Sequence, residues 1–225
     1  MWLFNSSIGR KVIMSVTGIC LILFLTFHMS MNVAALFSAD AYNMICEMLG
    51  ANWYAVVATM GLAALAVVHI IYAFILTAQN KAARGSERYA VSEKPSKVEW
   101  ASQNMLALGV IVLGGLLIHL ANFWAKMMLV DLGVDAFGDE VHSTDGAYWI
   151  QYTFSQPVFV VLYVIWIAAL WFHLTHGFWS AMQTVGLNGK TWFCRMKVIS
   201  IAYATLICFG FIAVVLCFFG RSLCC

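Results

Sequence analysis

Five apolar runs, at roughly 12–37, 51–78, 101–130, 154–182 and 198–220, carry no Asp or Glu away from their ends. A bilayer core takes about 20 helical residues at 1.5 Å rise each, so every run is long enough to cross one. Of the 225 residues, 63% are hydrophobic and 10% charged, and the mean hydropathy is +0.88. That balance excludes an ordinary soluble domain. The expected fold is an all-α integral membrane protein, a single domain over 1–225 with five transmembrane helices. Arg10 and Lys11 ahead of the first run imitate the start of a signal sequence. The run is too long for a signal h-region and no small-residue cleavage site follows it cleanly, so it is kept as a span.

Charge sets the expected orientation. With the N-terminus cytoplasmic, Arg10, Lys11, Lys81, Arg84, Arg88, Lys94, Lys97, Lys190, Arg195 and Lys197 fall inside, ten of the twelve basic residues. Only Lys126 and Arg221 fall outside, a strong positive-inside bias that places the C-terminus on the outer side of a bacterial cytoplasmic membrane. Asp40, Glu47, Asp131, Asp135, Asp139, Glu140 and Asp145 give the outer face a negative potential. Residues 79–100, with five basic and three acidic side chains, read equally as a solvated cytoplasmic connector or as a docking segment for a soluble partner. They lack the basic-aromatic pattern of a nucleic-acid surface.

Seven cysteines include no CxxC and no CxxCH, so neither a zinc ribbon nor covalent haem attachment is indicated. Cys224 and Cys225 stand together at the outer tail. His142 reads as a solvated residue of the outer loop 131–151.

The remaining histidines lie within the apolar runs, where an ionisable side chain is a functional hypothesis by default. His28 shares a helical face with Thr17, Leu21 and Phe24, and Asn32 follows one turn later. His69 shares one with Leu62, Leu65, Tyr72 and Leu76. His119 follows Gly115 by one turn, where the absent side chain lets a flat group approach the backbone. His173 and His176 stand at i, i+3 in the fourth run, near Phe172, Trp179, Ser180 and Gln183. Counted along their helices, His28 and His119 fall in the outer half, and His69 and His176 in the inner half. Two pairs, each drawn from two helices, suit two flat cofactors stacked across the membrane within a bundle of the first four spans. Haem fits this pattern, because two axial imidazoles leave no open position and such an iron carries electrons. Zinc requires more ligands at one point. Each histidine taken alone fits a hydrogen-bonded core residue as well as a ligand. His173 is the spare, expected to bond a neighbouring carbonyl rather than contact a propionate or line a quinone pocket. Gln183 and Lys190 are inner-half polar groups able to meet a haem carboxylate. The fifth span, with no histidine, reads as a packing helix.

The whole chain resembles the dihaem cytochrome b membrane-anchor subunit of the succinate:quinone oxidoreductases, the family of succinate dehydrogenases and fumarate reductases. The likeness rests on histidines in the first four of five spans, on Ser15-Val16-Thr17-Gly18, on Phe27-His28-Met29 and on Leu174-Thr175-His176-Gly177. It implies two haems b, the proximal on His69 and His176 and the distal on His28 and His119, with Ser15 at a propionate of the proximal haem. It implies two cytoplasmic partners, a flavoprotein subunit with FAD and an iron–sulfur subunit with its clusters. Neither a nucleotide fingerprint nor a cluster-binding cysteine array stands in this chain. Its share of the reaction would be quinone chemistry, with menaquinone expected near the distal haem, and the complex leaves room for a homodimer. Glu47, Asp40 and Asn32 are candidates for the quinol site. The chain departs from some dihaem relatives in lacking a carboxylate inside the fourth span. Two rival readings are the cytochrome b of a membrane hydrogenase or formate dehydrogenase, and a haem-free transporter or scaffold with a histidine relay.

Overall fold

The computed structural model describes residues 6–50, 52–84, 99–130, 132–133 and 143–224. The candidate docking segment is thus described only at its two ends, and Asp131, Asp135, Asp139, Glu140, His142 and Cys225 lie outside the described residues.

The first span is helix α1, Ser7–Phe37, started by Ser6, whose hydroxyl accepts the Gly9 N–H at 2.9 Å. A short helix α2, Ala39–Met48, follows, then α3, Trp53–Arg84, the second span. The third span is broken. One turn, α4 (Trp100–Gln103), stops at Asn104; α5 runs Met105–His119 and continues as a π-helical segment, Leu120–Leu129. After α6, Gly146–Phe154, the fourth span is α7, Pro157–Thr184, with its proline in the first turn where the missing N–H costs nothing. Gly186, at φ +111°, ends α7: its N–H reaches Gln183 and the Leu187 N–H reaches Met182, satisfying carbonyls that the helix leaves open. The last span is α8, Lys190–Cys224. All five long apolar helices can cross a bilayer, and the chain is an all-α multi-pass membrane protein.

Three expectations change. α1 and α8 begin well before their apolar runs, because basic residues such as Arg10, Lys11 and Lys197 are good helix formers; apolarity marks the part facing lipid, not the whole helix. The polar stretch around Asp40, Tyr42, Asn43 and Glu47, whose composition reads as a short outer loop between the first two runs, is instead α2, capped by Ser38 and with Asp40 in its first turn. The second outer loop likewise ends in α6, capped by Asp145, whose carboxylate accepts the Tyr148 N–H. Asn43 ties the two short helices together, donating to Asp145 at 2.8 Å and accepting the Ala147 N–H at 2.9 Å.

The bundle is not centred on the first four spans. α7 and α8 share the most extensive interface, and α1 packs on both. The core runs through Ile167, Leu170, Leu174, Ala204, Ile207 and Val215, with Ser200 and Ile207 fully enclosed. Small residues bring α7 and α8 close enough for Ser200 Oγ to donate to the Thr175 carbonyl at 2.6 Å. α8 also grips α1, where Tyr203 OH lies 2.6 Å from Thr26 Oγ1 and donates to the Ile22 carbonyl. α3 rests on α1, barely meets α5, and buries only Ala55 among its described residues. The fifth span, expected as a completing helix, is therefore the most deeply embedded, and the second is peripheral.

Candidate functional site

Every intramembrane histidine is presented by a long helix, and the helices group them at two levels. Towards the end that carries Asp40 and Asp145, His28 of α1 and His119 of α5 meet edge to face with ring centroids 5.6 Å apart. Phe24 and Phe211 pack on His28, and Phe123, Tyr163 and Trp166 on His119. His119 is the last α-helical residue before the π-helical segment, a conformation found disproportionately at functional sites. Asn122, just inside that segment, donates to Tyr163 OH at 3.4 Å.

The space beside Gly115 is filled from within. A Cβ there would fall 2.1 Å from the Trp166 ring, whose Nε1 donates to the Val112 carbonyl at 2.9 Å. The flat group that uses this glycine is an indole of the protein, which corrects the expectation of a ligand at that spot.

Asn32 holds the back of His28. Its amide nitrogen donates to the His28 carbonyl at 2.8 Å and stands 3.4 Å from His28 Nε2. Tyr42 fixes the amide by donating to Asn32 Oδ1 at 3.2 Å. Burial pushes the Tyr42 phenol well above its usual range, with Cys46 beside it reinforcing the shift, so the hydroxyl stays a donor. The contact at Nε2 is long for a hydrogen bond, and a Lewis acid can replace it without disturbing Tyr42. Asp40 and Glu47 lie on the exposed face of α2, so of the three quinol-site candidates Asn32 alone is brought against a histidine in this structure.

At the basic end, His69 of α3 is held by Thr17 of α1, with Thr17 Oγ1 3.1 Å from His69 Nδ1. The Thr17 hydroxyl has one proton and gives it to the Ile13 or Met14 carbonyl, at 2.9 and 3.0 Å. It therefore accepts from His69 Nδ1–H, which leaves the lone pair on Nε2. Gly18 admits the ring, since a Cβ there would touch His69 Cε1 at 3.4 Å.

His176 of α7 stands in a charged node that the sequence reading did not single out. Glu99 Oε2 is 3.7 Å from His176 Nδ1 and accepts from Trp179 Nε1 at 3.2 Å, while Lys197 Nζ meets Glu99 Oε1 at 2.6 Å. Partial burial pulls the Glu99 carboxyl up, but the hydrogen bond and charge of Lys197, the Trp179 N–H and His176 outweigh it and hold the group below the ordinary glutamate range. The available signal was positional: Glu99 stands just before the third apolar run and Lys197 just before the fifth.

His173 of α7 faces α5, where a Cβ at Gly109 would fall 3.9 Å from His173 Cε1. Its Nδ1 is buried without a hydrogen-bond partner, so the expected bond to a neighbouring carbonyl is not made by that atom. Ser15 is buried near the start of α1, Gln183 is half-buried in the last turn of α7, and Lys190 is exposed at the start of α8. Among the described residues no three His, Cys, Asp or Glu side chains converge as a metal cluster. A group that takes one nitrogen from each of two helices needs no such cluster. No family model, no curated protein and no solved structure matches the chain.

Proposed function

We propose that the chain is the membrane-anchor cytochrome b subunit of a succinate dehydrogenase or fumarate reductase complex. It would carry electrons between a membrane quinone, with menaquinone the expected species, and a cytoplasmic iron–sulfur and flavoprotein pair. The observation that supports this reading best is the grouping of intramembrane histidines at two levels on four helices. One pair has its rings 5.6 Å apart; at the other level the Thr17 hydroxyl accepts from His69 Nδ1–H, which leaves the Nε2 lone pair free.

Haem fits these residues. Neutral imidazoles half-buried between helices are the ligands it needs, and each bound haem supplies a one-electron iron couple. The chain's own part is to hold and insulate. His28 and His119 would take the outer haem, with Asn32, itself held by Tyr42, bonded to the His28 backbone carbonyl. His69 and His176 would take the inner haem, with Ser15 and the half-buried Gln183 available to propionates at that end. The apolar walls exclude water, and the basic end faces the cytoplasmic partners. The dicarboxylate reaction would belong to those partners, because this sequence carries neither a nucleotide fingerprint nor a cluster-binding cysteine array.

A reduced-minus-oxidised visible spectrum with haem quantitation on the purified chain tests the reading. Two haems per polypeptide are expected; none under haem-replete expression would sink it. His28→Ala and His119→Ala should remove the same haem, and His69→Ala and His176→Ala the other. Co-purification with a flavoprotein, rather than a nickel or molybdenum protein, identifies the complex.

A further inference from the structure

A neutral imidazole binds a metal through the nitrogen that lacks the proton, so whatever fixes the other nitrogen selects the ligand atom. His176 Nδ1 is buried and has no hydrogen-bond partner, a costly state for a donor. The facing group is Glu99 Oε2 at 3.7 Å. A closure of about 0.5 Å would bring the two into hydrogen-bond range, and a carboxylate, having no proton, can only accept.

The carboxylate is built into place. Lys197 Nζ holds Oε1 at 2.6 Å, and Trp179 Nε1 donates to Oε2 at 3.2 Å. Lys197 itself lies over the rings of Trp179 and Phe193, at 5.0 and 4.7 Å. The Trp179 ring packs edge-on against His176 at 5.0 Å. Residues from α7, α8 and the start of the third span therefore converge on one imidazole nitrogen.

We propose that Glu99 is the positioning residue of His176, holding it as the Nδ1–H tautomer so that Nε2 presents its lone pair to the inner haem. The proposal rests on His176 being a haem ligand. It accounts for the choice between the two neighbouring histidines, because His173 Nδ1 is buried with no such partner. A carboxylate on the far nitrogen also makes an imidazole a more basic ligand, which favours the oxidised iron.

Potentiometric titration of the two haems in the full-length protein tests this with a readout that packing alone does not move. Glu99→Gln should raise the midpoint potential of the haem that His176→Ala removes, and leave the other in place. Trp179→Phe keeps the ring and removes the competing N–H from Oε2, so it should move the same step downward. It also keeps the test open if Glu99→Gln fails to fold. Haem retention in the Glu99 variant should weaken about 10- to 100-fold at that site. If Glu99→Gln moves neither potential, or moves both equally, Glu99 does not position His176. A wild-type chain with no haem overturns the proposed function before any Glu99 variant is made, and a chain whose inner haem is lost with His173→Ala and kept with His176→Ala overturns the ligand choice.

Discussion

At His69 the protonation choice of a half-buried imidazole is made by a single hydroxyl. Thr17 gives its own proton to the backbone carbonyls of Ile13 and Met14 and so offers His69 only a lone pair. Thr17→Val keeps the shape and removes the acceptor. The stranded N–H should cost about 1–3 kcal/mol of stability, read as a lower unfolding midpoint in detergent, and on the proposed function should loosen the inner haem but not the outer. Unchanged retention of both haems would separate Thr17 from ligand orientation. Glycines offer a second test at this scale. A Cβ at Gly115 meets the Trp166 ring at 2.1 Å, and that ring is pinned to the Val112 carbonyl. At Gly210 it meets Met29 Sδ at 2.5 Å and Cγ at 2.8 Å, atoms of an unbranched, flexible side chain rather than of a pinned ring. Gly115→Ala should therefore lose about 1–3 kcal/mol through overpacking, and Gly210→Ala less. Thermal unfolding of the two variants side by side checks the order.

Among the elements, the second span stands apart, and hydropathy gives no sign of it. The spans are about equally apolar, because lipid and protein interior reward the same side chains. Which helix is central depends on small residues and polar crossings such as Ser200 to Thr175, which no apolar run advertises. The number of spans was legible because bilayer thickness fixes the length of an apolar run, and the meeting of His28 with His119 because both stand near the same end of their spans. α2 was legible only in part: Ser38 as cap and Tyr42, Ile45 and Cys46 at helical spacing mark it, yet Asp40, Asn43 and Glu47 made it read as loop. The π-helical segment after His119 and the Glu99 node arise from tertiary packing and leave no local pattern. Since α3 rests on α1 and barely touches α5, the group between His69 and α7 would hold it in place. On the proposed function, removing haem should raise hydrogen exchange in α3 more than in α7 or α8, the ordering expected when a poorly packed element opens locally. Equal protection of all five spans in the haem-free protein would contradict this.

Across the whole molecule, the five spans contain no carboxylate, while the charged groups gather at the two ends. On the proposed function, electrons from a quinol oxidised near His28 and His119 travel inward to the cytoplasmic partners, and no acidic side chain within the spans offers an accompanying proton a route. Each uncompensated charge then crosses the field at about 2.3 kcal/mol per 100 mV. With the inside negative, inward electron flow runs uphill. Fumarate reduction by menaquinol should slow as the potential is imposed and recover when an uncoupler collapses it, and succinate oxidation should respond in the opposite sense. Sealed vesicles holding the complete complex, with the potential set by a potassium gradient and valinomycin, give the measurement. A rate indifferent to the imposed potential would show that a proton does cross with the electron; His173, buried between the levels of Glu99 and His119 and with a free Nδ1, is then the first residue to replace.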